Sequence, residues 1–105
     1  MKECSMEFEI ELRREIQSTV VRPRGDIDVC TSPTLREQLS ILIAQDDPVV
    51  DVDLSEVRYL DSSGVAVLMR AWKTLDGQGR TLRLRNASAP VRRVFAVLAL
   101  DKYLA

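Results

Sequence analysis

The sequence contains no histidine. That absence removes Ser-His-Asp and Cys-His catalysis, HExxH zinc chemistry and histidine phosphotransfer from the functions open to this chain. Cysteine is nearly as scarce. Cys4 and Cys30 are too far apart for a Cys-x-x-Cys redox site and too few for a metal-ligand cluster or a disulfide framework. Cys4 reads as exposed tail and Cys30 as a small packing residue, and no metal or cofactor is implied. No apolar run approaches the roughly 20 residues of a membrane span, and Met1 to Ser5 opens no signal-peptide core. The expected location is therefore the cytoplasm, without a membrane partner. Fifteen basic against sixteen acidic residues leave a net charge of −1, not the basic surface that neutralising several phosphates requires. Aromatic residues make up only 5%. Arg83 and Arg85 share one face of a strand, but no rings interleave with them, so a solvated strand face is the preferred reading over nucleic-acid binding.

What is present is ordinary globular material: 105 residues, 46% hydrophobic and 30% charged, enough for one domain with a two-layer core. No internal repeat, linker or low-complexity segment interrupts it. Phe8, Ile10 and Leu12 alternate with charged residues as a strand with one buried face does. Glu15 to Ser18 reads as a turn and Thr19 to Arg24 as a second strand, in which Pro23 is awkward because it lacks the ladder donor. Ser32-Pro33 predicts a helix start with serine as N-cap, followed by Leu35, Leu39, Leu42 and Ile43 on one face and stopped by Gln45 to Pro48. A strand over Val49 to Leu54 is apolar and β-branched, as a buried parallel strand requires. From Gly64 the period changes: Val65, Leu68, Trp72 and Leu75 recur at spacings of three and four, predicting a helix to Leu75. A turn at Asp76 to Gly79, a strand from Thr81 to Arg85 and a helix from about Pro90 to Leu98 follow. An opening hairpin followed by alternating strands and helices predicts an α/β sandwich with a mixed sheet and helices packed on it.

Ser62 and Ser63 fall between the Val49 strand and the Gly64 helix, at or beside a helix N-terminus. Two readings stand there. Either serine caps the helix, stabilising it by roughly 1 kcal/mol, or the unpaired N–H groups and partial positive charge of the helix start serve an anion such as a phosphate. Local sequence favours the cap. Asp28, a few residues before Ser32-Pro33, has two readings as well: a carboxylate that ties a turn through backbone hydrogen bonds, or one that recognises a partner. Trp72 and Met69 read as packing residues, while Arg70 and Lys73 fall on the outward face of the same helix.

In this order and spacing the pieces resemble a known family. Asp61-Ser62-Ser63-Gly64, after a Val/Asp strand and before an apolar helix, resembles the phosphorylation motif of the bacterial anti-sigma factor antagonists, which are single STAS domains. Gly25-Asp26-Ile27-Asp28 resembles the turn that ends their second strand, and Ser88-Ala89-Pro90-Val91-Arg92-Arg93-Val94-Phe95 resembles their last core helix. The resemblance runs from about Phe8 to Leu104 as one STAS domain. It implies that Ser62 is a phosphate acceptor and that Ser63 shapes the loop. It further implies a partner surface including Asp28, Asp26, Asp61, Ser63, Gly64, Arg70 and Lys73. The implied partners are an anti-sigma factor that is also a serine kinase and a PP2C-type serine phosphatase, so that the chain would be a substrate and not an enzyme. Three departures accompany the match. Ala66 and Ala99 stand where the family frequently has glycine, and the family's C-terminal helix is apparently absent beyond Lys102-Tyr103-Leu104-Ala105. The apolar surface that helix would cover is expected to be filled otherwise, left open, or shared with a second copy.

Three competing functions share parts of this pattern. A phosphoaspartate receiver would use Asp51 or Asp53 but fits the opening hairpin poorly. A STAS domain without the switch would be a fixed subunit or scaffold, as in lipid-transport or stress-signalling assemblies. A hydrolase built on Ser62 has no histidine to activate it.

Overall fold

In the computed structural model, residues 7–105 are described, and Cys4 lies outside them. Strand β1 (Glu9–Glu15) turns back antiparallel onto β2 (Ser18–Ile27). Helix α1 (Ser32–Ile43) leads to β3 (Val49–Asp53), then β4 (Val57–Leu60), helix α2 (Ser62–Gly77), β5 (Thr81–Arg85), helix α3 (Ala89–Val97) and a 3-10 turn at Asp101–Tyr103. The sheet is five-stranded and mixed, with the order β1-β2-β3-β5 and β4 paired to β2. Its architecture is the α/β sandwich that the element order predicts.

Strand β4 is the element that sequence reading missed. It follows β3 in the same direction and takes the next stretch of β2. Ser18 to Val21 pair with Val49 to Val52, and Gly25 to Ile27 pair with Val57 to Leu60 after a register shift at Gly25 and Asp26. Gly25 has a φ of 111° there, a backbone state that favours glycine. The irregularity lies at Gly25 and Asp26, and β2 ends two residues further on at Ile27, with Asp28 in the turn that follows. Pro23 falls in the interval between the two parallel registers, where a missing ladder donor costs least.

The two faces of the sheet differ because β3 and β5 alternate strictly. Val50, Val52, Leu82 and Leu84 point inward, where they meet Leu35, Leu39 and Leu42 of α1, Val65, Leu68 and Leu75 of α2, and Val91 and Phe95 of α3. The other face carries charge. Arg83 grips Asp51 with two bonds, Nε to Oδ1 at 2.6 Å and Nη2 to Oδ2 at 2.8 Å. Arg85 stands 4.0 Å from the same carboxylate, and Arg22 lies 3.2 Å from Asp53. The Asp51 hydrogen bonds hold the Arg83 guanidinium above its ordinary pKa. Arg83 and Arg85 are therefore part of a paired strand face. Asp51 and Asp53 are likewise engaged by arginines, not grouped as a receiver's metal-binding pair, and no metal-ligand cluster occurs among the described residues.

The helix ends correct two expectations. Thr31, not Ser32, is the N-cap of α1, and Ser32 is buried in the first turn. At the other end Arg80 spends its guanidinium on the chain's carbonyls, donating to Leu42 O, Ile43 O and Asp47 O at 2.7 to 3.2 Å. It satisfies acceptors that the end of α1 leaves open. Beyond α3, Leu100, Tyr103 and Leu104 pack against the core, and the Tyr103 ring meets Trp72 edge-on at 5.0 Å. Leu104 also bridges to Leu84 beside β5. These residues extend the core, while Val97 and Leu98 are exposed. Cys30, expected to be a packing residue, is half-buried and disulfide-bonded. No helix among the described residues is long and apolar enough to cross a membrane.

Ala66 lies on the exposed side of α2 with ordinary helical geometry, so the absence of glycine there strains nothing. Ala99 is different. Its φ is 57°, the N–H of Leu100 donates to Phe95 O at 2.8 Å, and its own N–H donates to Ala96 O at 3.0 Å. This is the bonding of a Schellman cap, with alanine at the left-handed position that glycine usually fills. Replacing Ala99 by glycine should stabilise the protein by roughly 0.5–1 kcal/mol, the relief of a left-handed alanine less the unfolded-state entropy that glycine adds. Urea unfolding reads this directly, and an unchanged or lower midpoint would contradict it.

Burial pushes the Asp53 carboxyl up, yet the backbone N–H and hydroxyl of Ser55, the Asn86 side chain and the Arg22 charge outweigh it and hold the group below its ordinary value of 3.8. A depressed folded pKa contributes stability that is fully present above 3.8 and is lost as pH falls through the lower folded value. Asp53→Asn should therefore lower stability at pH 7 and flatten the acid limb of the stability profile. Denaturant melts at neutral and acid pH test this, and an acid limb as steep as that of the parent would refute it.

Candidate functional site

The sheet brings the two sequence-predicted segments to one end. Ile27 pairs with Leu60, and the N–H of Asp61 donates to Ile27 O at 3.1 Å. The turn after β2 and the start of α2 are thereby neighbours, and both helices leave from that end of the parallel strands.

At the start of α2 the cap is neither serine. Asp61 has extended backbone and is the N-cap. Its Oδ1 accepts from Ser63 N at 2.9 Å, Gly64 N at 3.3 Å and the Ser63 hydroxyl at 2.5 Å. One carboxylate thus satisfies two of the orphan N–H donors of the helix and fixes Ser63, which is half-buried. Ser62 is the first helical residue and is exposed. Its hydroxyl makes no hydrogen bond within the described residues. The capping role that local sequence offers to Ser62 or Ser63 belongs to Asp61, so Ser62 is presented to solvent at the positive end of a helix.

Gly64, placed by the resemblance among partner contacts, is buried. A Cβ there would lie 2.4 Å from Leu60 Cδ1 and 2.6 Å from Ile27 Cγ2, so the first turn of α2 is pressed onto the ends of β2 and β4. Its part in the site is to set where Ser62 emerges. Asp28 is also buried, at 8% exposure. Its Oδ1 accepts from Cys30 N at 2.9 Å and Thr31 N at 3.2 Å, and its carbonyl accepts from Ser32 N at 2.8 Å. Thr31 completes the knot by donating its hydroxyl to Asp26 O at 2.7 Å. This is the turn-tying geometry. Asp26 is half-buried and lies 3.7 Å from Arg58. Arg70 and Lys73 are exposed on α2, one to two turns beyond the others.

Two exposed apolar residues flank this end and were not singled out in the sequence. Val29 is 61% exposed in the turn after β2, and Tyr59 is 52% exposed in β4 opposite Asp26. The signal for Tyr59 was a Val-Arg-Tyr-Leu stretch whose two central side chains are both exposed, a pattern that does not alternate as a strand normally does. Large apolar side chains exposed beside polar ones are features of contact surfaces.

A mixed sheet with one helix-covered face thus carries at its edge an exposed serine on an aspartate-capped helix. The family model described as "Mlab, STAS domain" matches residues 10–105, and the chain belongs to the STAS domain family. It is 30% identical over 95 residues to the anti-sigma-B factor antagonist of Bacillus subtilis (strain 168), covering 90% of this chain and 86% of that protein. To the anti-sigma-B factor antagonist of Listeria monocytogenes it is 31% identical over 97 residues, covering 91% and 85%. Among solved structures, an anti-sigma factor antagonist from Mycobacterium paratuberculosis superimposes with a TM-score of 0.84 at 27% identity, covering 93% of this chain and 83% of that one. The unphosphorylated form of the anti-sigma factor antagonist SpoIIAA shares the fold with a TM-score of 0.78 at 24% identity, covering 93% and 85%.

The geometry at Asp28 makes a definite demand on stability. Asp28→Ala removes the one carboxylate oxygen that accepts from two backbone N–H groups of the turn and should lower stability by about 1–2 kcal/mol. Thermal unfolding of the variant checks this, and a melting temperature within a degree of the parent would return Asp28 to the exposed recognition role.

Proposed function

We propose that this chain is an anti-sigma factor antagonist of the bacterial cytoplasm, switched by phosphorylation of Ser62. Unphosphorylated, it binds an anti-sigma factor that is also a serine kinase and so releases a sigma factor. That kinase phosphorylates Ser62 and ends the binding, and a PP2C-type phosphatase restores the acceptor. The chain is the substrate in this cycle. The observation that carries the reading is the division of labour at the start of α2, where Asp61 caps the helix and leaves the Ser62 hydroxyl exposed and unbonded. The similarity to antagonists at about 30% identity over most of the chain supports it.

The physics of the position suits a switch that acts on binding and spares the fold. Phosphoserine adds about −1.5 to −2 charges. At the first helical residue the helix dipole favours that charge by roughly 0.3–1 kcal/mol, so the domain tolerates the modification. In a desolvated contact the same charge, beside Asp61 and Asp26, repels and must be stripped of water. A loss of about 3–4 kcal/mol, several hundred-fold in affinity, is enough to exchange partners.

Incubation with an anti-sigma factor kinase and ATP should place one phosphate on Ser62, read by tandem mass spectrometry. In calorimetric titration Ser62→Ala should keep full affinity for the kinase and resist switching, while Ser62→Asp should bind at least tenfold more weakly. Phosphate mainly on Ser63 or Ser55, or equal affinities for the two variants, would refute the proposal. A partner held stoichiometrically and indifferent to Ser62 would favour a fixed subunit of a larger assembly instead.

A further inference from the structure

The charged side chains of this domain are unevenly satisfied. Arg13, Arg14, Arg22, Arg24, Arg58, Arg83 and Arg85 each have a carboxylate partner, and Arg80 is spent on backbone carbonyls. Arg36 of α1 and Arg70 of α2 form no ion pair with any described residue. Between them α1 and α2 leave a groove of about 230 Å³. Leu39 and Ala71 form its buried floor, at 2% and 5% exposure, and Ile43 and Val67 are its half-buried walls. No acidic residue lines it. Lys73, exposed and three residues after Arg70 on α2, adds a third cation nearby.

The groove has a length and a direction. From Arg36 to Ile43 it follows α1 for seven residues, about 10 Å or two helical turns, which matches an i, i+3, i+4, i+7 stripe on an incoming helix. Arg36 lies one turn into α1 and Val67 one turn into α2. The groove therefore begins about one helical turn from the end of the domain where Ser62 emerges.

We propose that this groove seats an acidic amphipathic helix of the protein partner, with its apolar side chains over Leu39, Ile43, Val67 and Ala71 and its carboxylates on Arg36 and Arg70. The proposal rests on the reading of the chain as a partner-binding antagonist, and adds a second contact beyond the phosphorylatable end. Charge complementarity selects the occupant. Two guanidiniums flanking an apolar floor attract carboxylates, and a basic helix is repelled.

The test uses the full chain, labelled with nitrogen-15, and two synthetic helical peptides of 15 or so residues. Both carry leucine at i, i+3, i+4 and i+7, one with glutamate on the flanking positions and one with lysine. The glutamate peptide should shift the amides of Leu39, Ile43, Val67 and Ala71 saturably and bind at least tenfold more tightly than the lysine peptide. In the Arg36→Glu/Arg70→Glu variant, both changes being at exposed positions, the preference should reverse. Ala71→Leu, which fills the floor, should weaken the glutamate peptide by about the same factor while the spectrum stays folded. Perturbation elsewhere, no perturbation, or equal binding of the two peptides overturns the groove. The anti-sigma factor kinase supplies the separate arm. A chain that seats the acidic peptide but is never phosphorylated on Ser62 defeats the antagonist reading alone. A chain that is phosphorylated and bound with undiminished affinity after Arg36→Glu/Arg70→Glu defeats the groove alone.

Discussion

The contact on which the rest of this structure depends is the one between the backbone of Gly64 and the side chains of Ile27 and Leu60. These residues end β2 and β4 and begin α2, and their approach is closer than any Cβ allows. Because α2 starts in direct contact with the sheet, its N-terminus has one place to be. Asp61 then bonds backward to Ile27 and forward to Ser63 and Gly64, so strand, cap and helix are tied within four residues. Ser62 is the residue left over by this arrangement. Its exposure follows from packing, since neighbours on both sides are committed.

The same junction places the buried Asp28 carboxylate beside the candidate site. Asp28 faces inward to hold its own loop, and the surface there comes from what the loop and β4 present outward, Val29 and Tyr59. A carboxylate near a recognition surface can thus contribute entirely through geometry.

Much of this was legible in the sequence. Alternation placed β1 and β5, an apolar β-branched run placed β3, three-and-four spacing placed α1 and α2, and the Asp61 to Gly64 segment stood out because the period changes across it. The failures have physical causes. Strand β4 is four residues long with both central side chains exposed, so it carries no periodic signal, and its pairing is set by a register shift around Gly25 in a distant segment. Asp61, Ser62 and Ser63 are all competent caps, and what chooses among them is where the bond to Ile27 ends the strand, a tertiary fact. Ser32 lost the cap to Thr31 for a similar reason, the hydroxyl of Thr31 being drawn to Asp26 O and the Asp28 turn. Arg80 was invisible as a helix-capping residue because its acceptors lie more than thirty positions away. The left-handed alanine at Ala99 was foreshadowed only by the resemblance.

The paired charges on the bare face of the sheet have a consequence for how this protein moves through solution. Asp51 and Asp53 are covered by Arg83, Arg85 and Arg22 at contact distance, so their fields cancel within a few ångströms and the net charge of −1 describes little of what an approaching molecule senses. On the helix side Arg36, Arg70 and Lys73 stand unpaired among the described residues, and the N-termini of α1 and α2 add positive potential beside them. Fields of that kind reach about one Debye length, roughly 8 Å at physiological salt. An acidic surface that comes within this distance exerts a torque on the domain before touching it. The quiet face of the sheet is what gives that torque a direction, and diffusion delivers the domain already turned.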